Sequence, residues 1–186
     1  MTHIIRAAKL TDAEALSHIG ASTFALACAT GTPHEDTEAY IGSELTARRF
    51  EEHVACLSKS LFVAEVNSQI VGYLMLCREE APADLIAHRP LELRRIYVLP
   101  TYHGSGVAGD LIARAVREAI VGAHDCLWLG ASGSNQRGLA FYRKHGFSVK
   151  GKYHFPLGAI VYEGFLMSRS MSPNNSLGDF PSIPGA

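Results

Sequence analysis

The chain has no pair of cysteines in C-x-x-C spacing; its four, Cys28, Cys56, Cys77 and Cys126, are widely scattered. That rules out the common thiol redox motif and the usual zinc knuckles. Each cysteine lies in an apolar neighbourhood, as reduced, buried thiols of a cytoplasmic protein do. Nine histidines are present, but no H-x-x-x-H or H-E-x-x-H spacing occurs, so no metal site is expected. Neither sign of charge dominates: the formal net charge is −1. A general nucleic-acid binder would show a basic surplus. No window approaches the roughly 20 apolar residues of a membrane span. The opening "MTHIIRAAKL" lacks both the apolar stretch and the small-residue cleavage site of a signal peptide.

What the chain does have is material for a core. Of its 186 residues, 47% are hydrophobic and 19% charged, which suits one domain with a sizeable interior. We place that domain at residues 1–171. Residues 172–186, "SPNNSLGDFPSIPGA", read as a flexible tail, being rich in Ser, Pro, Gly and Asn.

The hydrophobic period changes along the chain. "IIRAA" (4–8) reads as a strand, and Thr11 with Glu14 forms a capping box before a helix. Thr32 and Pro33 repeat the helix-start signal with proline at the first helical position. A third helical stretch spans about 46–58. "LFVAEV" and "IVGYLMLC" flank "NSQ" and predict a hairpin. "LELRRIYVL" is the next strand, stopped by Pro100, and "CLWLGAS" another. A helix at about 136–145 precedes Gly146, which suits its left-handed cap. Two strands close the order. The pattern predicts a mixed α/β sheet with helices on both faces, rather than the regular alternation of a dinucleotide-binding fold.

Between the strand ending at Pro100 and the following helix stands "YHGSGVAGDL", with three glycines in six positions. The helix carries one apolar stripe, Val107, Leu111, Ile112, Ala115, Val116, Ala119 and Ile120, so it lies against the sheet. Its first amides have no intrahelical partner and carry the positive end of the dipole. Without a Cβ, Gly104 and Gly106 would let an anion such as a diphosphate approach the main chain. A tight turn needing positive φ would explain the same glycines. The P-loop pattern fails for want of Gly-Lys-Ser/Thr, and the dinucleotide fingerprint lacks its strand and acidic residue.

A second constellation is "NQRGLAFYRKHGF" (135–147). Asn135 sits at a helix start, and Tyr142 lies seven residues on, two turns later and on the same side. Read blandly, these are an N-cap and a packed tyrosine.

Together the two stretches resemble the GNAT N-acetyltransferase superfamily. His103–Gly104–Ser105–Gly106–Val107–Ala108 is similar to its Gln/Arg-x-x-Gly-x-Gly/Ala pattern, with His103 in place of Gln or Arg. The resemblance covers about 60–165. The stretches "TFALACATGTPHEDTEAYIGSEL" and "LWLGASGSNQRGLAFYRKHGF" look like the PaiA-like polyamine N-acetyltransferase subgroup. Gly138 stands where Ala is common in the family.

The resemblance implies a GNAT-type, mostly antiparallel sheet with a splayed central strand. It also implies acetyl transfer from acetyl-CoA, as cosubstrate, to a primary amine such as spermidine. Ile96, Tyr97 and Val98 would pair with the pantetheine like an added strand. Residues His103, Gly104, Ser105, Gly106, Val107, Ala108 and Gly109 would hold the diphosphate, and Asn135 would contact the pantetheine arm. Tyr142 is the candidate general acid for the leaving thiolate. Glu92, expected to share a strand face with Arg94, Ile96 and Val98, is the candidate general base. A surface pair with Arg94 or Arg95 is the alternative for Glu92, and an ordered water chain the alternative base. An alkyl amine of pKa about 10.4 is neutral in roughly one molecule in 2,500 at pH 7, so freeing it costs about 4.6 kcal/mol.

Acidic residues Glu35, Asp36, Glu38, Glu44, Glu51 and Glu52 would suit a polyamine if they lined its groove; otherwise they are solvated helix faces. The family also acetylates peptide and protein amines, and a non-catalytic acetyl-CoA sensor would carry the same cofactor turn. The closing strands could pair across a homodimer.

Overall fold

The computed structural model describes residues 2–28, 31–79 and 81–171, so the expected tail lies outside the described residues. Its elements are β1 (Ile4–Ala7), α1 (Ala13–Ala27), α2 (His34–Glu44), α3 (Ala47–Ala55), β2 (Lys59–Val66) and β3 (Gln69–Cys77). Then come β4 (Pro90–Val98), α4 (Val107–Val121), β5 (Cys126–Ser132), α5 (Gln136–Lys144), β6 (Ser148–Leu157) and β7 (Ile160–Ser170).

Local chemistry accounts for most boundaries. Asn67 and Ser68 both take positive φ, 47° and 64°, and turn β2 tightly into β3. Thr46 caps α3 by accepting from the Arg49 amide. Gly146, at φ 82°, ends α5 as expected. Two start signals shift. A short 3-10 turn (Leu10–Asp12) precedes α1, and Asp12, not Thr11 with Glu14, stabilises that entrance. Its Oδ2 accepts from the Lys9 amide, and both of its oxygens accept from Arg6. Pro33 stands just outside α2, whose first residue is His34.

The seven strands form one sheet in the order β1-β2-β3-β4-β5-β7-β6, and only the β4–β5 pair is parallel. Helices cover both faces. On one side α4 and α5 pack through Leu111, Ile112, Ala115 and Leu139, with Phe147 just past α5, onto Leu74, Leu76, Leu91 and Leu129. On the other, α1–α3 bring Leu16, Ile19, Phe24 and Phe50 onto Val63, Tyr73 and Met75. The mixed, mostly antiparallel sheet with helices on both faces is therefore present.

Two features of β4 position the site. First, β4 and β5 pair only at Pro90↔Cys126, Leu91↔Leu127 and Glu92↔Trp128. Beyond Glu92 the strands part, because β5 stays paired to β7 through Ser132 while β4 stays paired to β3 through Val98. Second, β4 bulges: Arg95 lies opposite Met75 and Leu93 opposite Leu76, which leaves Arg94 as the extra residue. A one-residue slip transfers every later side chain to the other face. Leu93, Ile96 and Val98 consequently join the core under α4. Tyr97 packs with the core under α1, and Arg95 and Glu92 lie opposite Met75 and Cys77 of that core. Glu92 thus does not share a face with Ile96 and Val98 as plain alternation implied.

Candidate active site

The gap between the parted strands opens into a cleft. Its floor is residues 92–98 of β4, one wall is Gly130–Ser132 of β5, and Asn135 and Tyr142 reach in from α5. At its far end stand Phe24 of α1, Tyr40 of α2 and Phe155 of β6.

Backbone groups of β4 face this gap. Leu99 donates its N–H to Val71 O of β3 at 2.9 Å, and such groups alternate sides along a strand. Those of Ile96 and Val98 therefore point into the gap, and those of Tyr97 point toward β3. Of the three residues expected to pair with pantetheine, Tyr97 contributes no inward amide. One inward acceptor is already used, since Val98 O takes a 2.9 Å hydrogen bond from His103 Nε2. That bond sets the ring's tautomer: Nδ1 then accepts from the Arg137 guanidinium at 2.9 Å.

The loop after β4 has the predicted form. Gly104 and Gly106 take φ of 81° and 94°, and Gly106 is the N-cap of α4. The first turn closes from Asp110 N–H to Gly106 O, so the amides of Val107, Ala108 and Gly109 lack partners one turn back. A methyl group built at Gly104 or Gly106 meets nothing within 4 Å, so the space before these amides is open. Ser105 differs from the expectation: its hydroxyl donates to Tyr102 O at 2.6 Å and its amide also turns to that oxygen. Ser105 shapes the turn instead of facing an anion. His103 likewise props β4 and orients Arg137. A diphosphate-sized anion fits the open amides of this loop, with Arg137 as the neighbouring cation.

Arg137 is the residue that sequence reasoning missed. It follows an N-cap by two positions, a place with no motif of its own, and only the packing of α5 beside the 103–106 turn brings it there. Asn135 caps α5, its Oδ1 accepting from the Gly138 amide at 2.9 Å, which leaves its amide nitrogen for the cleft. A Cβ at Gly138 would come within 2.7 Å of Asn135 Nδ2, so glycine at 138 makes room for that cap.

Tyr142 is half-buried against Phe141 and Phe147, with ring centroids at 5.6 and 5.8 Å. Burial pushes its phenol up to about 12. It therefore keeps its proton throughout the neutral range. Full transfer to a thiolate of pKa about 8.5 would run uphill by about 5 kcal/mol. The phenol is better suited to donate a hydrogen bond to a sulfur that is gaining charge.

Glu92 sits at the apex where the strands part, 3% exposed. Its two oxygens accept from Arg94 Nε at 2.7 Å and Nη2 at 2.6 Å. Arg94 also holds Glu79 at 2.9 Å. The pairing with Arg94 is present, buried on the Glu92 side while Arg94 is 39% exposed. One lone pair on each carboxylate oxygen stays free.

The acidic residues of the α2–α3 region do not line the cleft. Glu44 and Glu52 pair with Arg49, and Glu38 lies 3.8 Å from His34. Among the described residues, the cleft's carboxylates are Glu92 and Glu163, and the latter holds Lys152 at 2.9 Å. No group of three or more potential metal ligands occurs among the described residues.

Comparison with known proteins agrees with this geometry. Residues 58–149 match the family model of the acetyltransferase (GNAT) domain. Uncharacterized N-acetyltransferases of Mycobacterium tuberculosis and Mycobacterium bovis are 33% identical over 162 residues, covering 87% of this chain and 99% of theirs. Among solved structures, the PaiA N-acetyltransferase of Thermoplasma acidophilum in complex with coenzyme A superposes with a TM-score of 0.74 at 21% identity. That match covers 91% of this chain and 99% of the other. YncA of Salmonella typhimurium, solved with its cofactor acetyl-CoA, gives a TM-score of 0.67 at 18% identity, over 100% and 99% of the two chains. At these identities the structural likeness speaks for the fold alone.

Proposed function

The chain belongs to the GNAT family of acetyl-CoA-dependent N-acetyltransferases, and from that premise we propose that the β4–β5 cleft transfers an acetyl group to the primary amine of a small molecule. The observation that carries this reading is the parting of β4 from β5 directly beside an open turn of unpaired amides. One continuous groove thereby offers strand-edge hydrogen bonds and an anion cradle.

In this reading the amides of Gly104, Gly106, Val107, Ala108 and Gly109 hold the diphosphate, with Arg137 alongside. The inward backbone groups of Ile96 and Val98 extend the sheet with the pantetheine, and the Asn135 amide nitrogen donates to the same arm. Bound acetyl-CoA supplies a thioester, an acyl donor with a good leaving group. Tyr142 hydrogen-bonds the departing sulfur. Glu92, at the apex and facing the α1–α3 side, takes the amine's proton through its remaining lone pairs. A positioned acceptor is needed because a free amine of ordinary basicity is scarce at neutral pH.

The polyamine acceptor suggested by the PaiA-like stretches loses its electrostatic support, since none of the six acidic residues lines the cleft. Spermidine stays in the test set with lysine peptides and amino compounds. Release of free CoA thiol on mixing protein, acetyl-CoA and an amine is the expected result. Thermal stabilisation by acetyl-CoA without thiol release for any amine would instead indicate a sensor.

A further inference from the structure

At the far end of the cleft, one positive charge has no ion-pair partner among the described residues. Arg95 is 7% exposed, and its contact there is a hydrogen bond from Nη2 to the Tyr40 hydroxyl at 3.1 Å. Its Nη1 is buried without a partner. The groups around it are the phenols of Tyr40, Tyr73 and Tyr97 and the imidazole of His53; Glu44, Glu52 and Glu79 line a cavity with it on its other side, but none of the described carboxylates pairs with it. Its neighbour differs sharply, for Arg94 holds both Glu92 and Glu79. A guanidinium cannot shed its proton to escape burial, and an uncompensated buried cation is costly.

The surroundings suit a ligand. Tyr40 stacks on Phe24 at 4.4 Å and meets Phe155 edge-on at 5.9 Å, so its ring is fixed. Its oxygen accepts from Arg95, which frees its own O–H to donate onward. The Tyr162 hydroxyl, in the same cleft, is buried and also lacks a partner. A buried cation, the phenol it holds and a second unpaired phenol therefore line the same cleft, whose described carboxylates, Glu92 and Glu163, are already engaged.

We infer that the acetyl acceptor is an amino-acid-like small molecule whose carboxylate is taken by the Tyr40 hydroxyl, with the Arg95 guanidinium behind it. This rests on the acetyl-transfer reading above and narrows its substrate class. The anion meets the Tyr40 O–H first, and the charge of Arg95 behind it is transmitted through that phenol.

The test measures thiol release from acetyl-CoA with free amino acids, with the carboxamide of each, and with spermidine. The quantity read is the acid-to-amide ratio of kcat/KM, compared between wild type and variants so that differences in amine basicity cancel. For the preferred amino acid, Arg95→Met should lower this ratio at least ten-fold. Tyr40→Phe, which keeps the ring stack, should lower it less. Stabilisation by acetyl-CoA should be unchanged in both. A ratio unaltered by Arg95→Met, or turnover confined to spermidine, overturns the inference while acetyl transfer stands. Absence of thiol release with every amine overturns both.

Discussion

Gly106→Ala isolates the role of the turn before α4. Gly106 has φ 94°, where an alanine is strained by about 1–3 kcal/mol. Its new methyl meets nothing within 4 Å, so strain is the whole cost in the free protein. For a domain of this size each kcal/mol lowers Tm by about 2–4 °C. The free variant should therefore melt about 2–12 °C below wild type. Coenzyme A at 100 times the wild-type Kd stabilises wild type by about 2.7 kcal/mol, or roughly 5–10 °C. In the variant, the methyl stands in the open space before the amides and should displace at least one charge-assisted hydrogen bond, worth about 1.5–3 kcal/mol. Kd then rises about 10- to 100-fold, and stabilisation at the same ligand concentration falls to about 0.4–1.4 kcal/mol. Differential scanning fluorimetry reads both numbers. Gly151→Ala, at a position of ordinary φ where a methyl also meets nothing, is the control and should match wild type in both. A Gly106→Ala protein that melts lower yet gains the full stabilisation from coenzyme A would refute the amide cradle.

Three further outcomes are expected. Tyr142→Phe should lower kcat while leaving acetyl-CoA affinity intact; because the phenol titrates near pH 12, any falling limb of the wild-type pH–rate profile below pH 10 should survive in the variant. Glu92→Gln should slow turnover less as pH rises and the amine deprotonates unaided, and by breaking a half-buried ion pair it should destabilise by about 1.5–3 kcal/mol, seen as a lower midpoint in urea; a rate loss independent of pH would assign Glu92 to structure. His53, drawn down to about 4 by burial and by the charges of Lys59, Arg95 and Arg49, binds its proton more readily unfolded than folded. The stability it confers as a neutral ring is thus complete above pH 6.5 and lost as pH falls toward 4. In His53→Gln, stability should depend less on pH across that window, and an equal pH dependence would remove the assignment.

Much of the machinery was legible in local patterns. The period of Val107, Leu111, Ile112 and Ala115 implies a helix on a sheet, and the glycines ahead of it imply a turn with positive φ. Asn135 reads as an N-cap and Asn67–Ser68 as a tight turn for the same reason: these states depend on the preferences of a few adjacent residues. The face of Glu92 was not legible, because the bulge at Arg94 belongs to the pairing of β3 with β4 and leaves no mark on β4 alone.

Sequence by itself determined the strands and helices, the amide-lined turn and the residue types a thioester transfer needs. Tertiary structure alone decided where β4 and β5 part, that Arg137 meets His103, that the acidic residues of α2 and α3 stay off the cleft, and that Arg95 pairs with no described carboxylate. Periodicity and capping are fixed within a turn or two of chain, whereas charge partners and strand divergence depend on segments tens of residues apart, whose meeting no local propensity records.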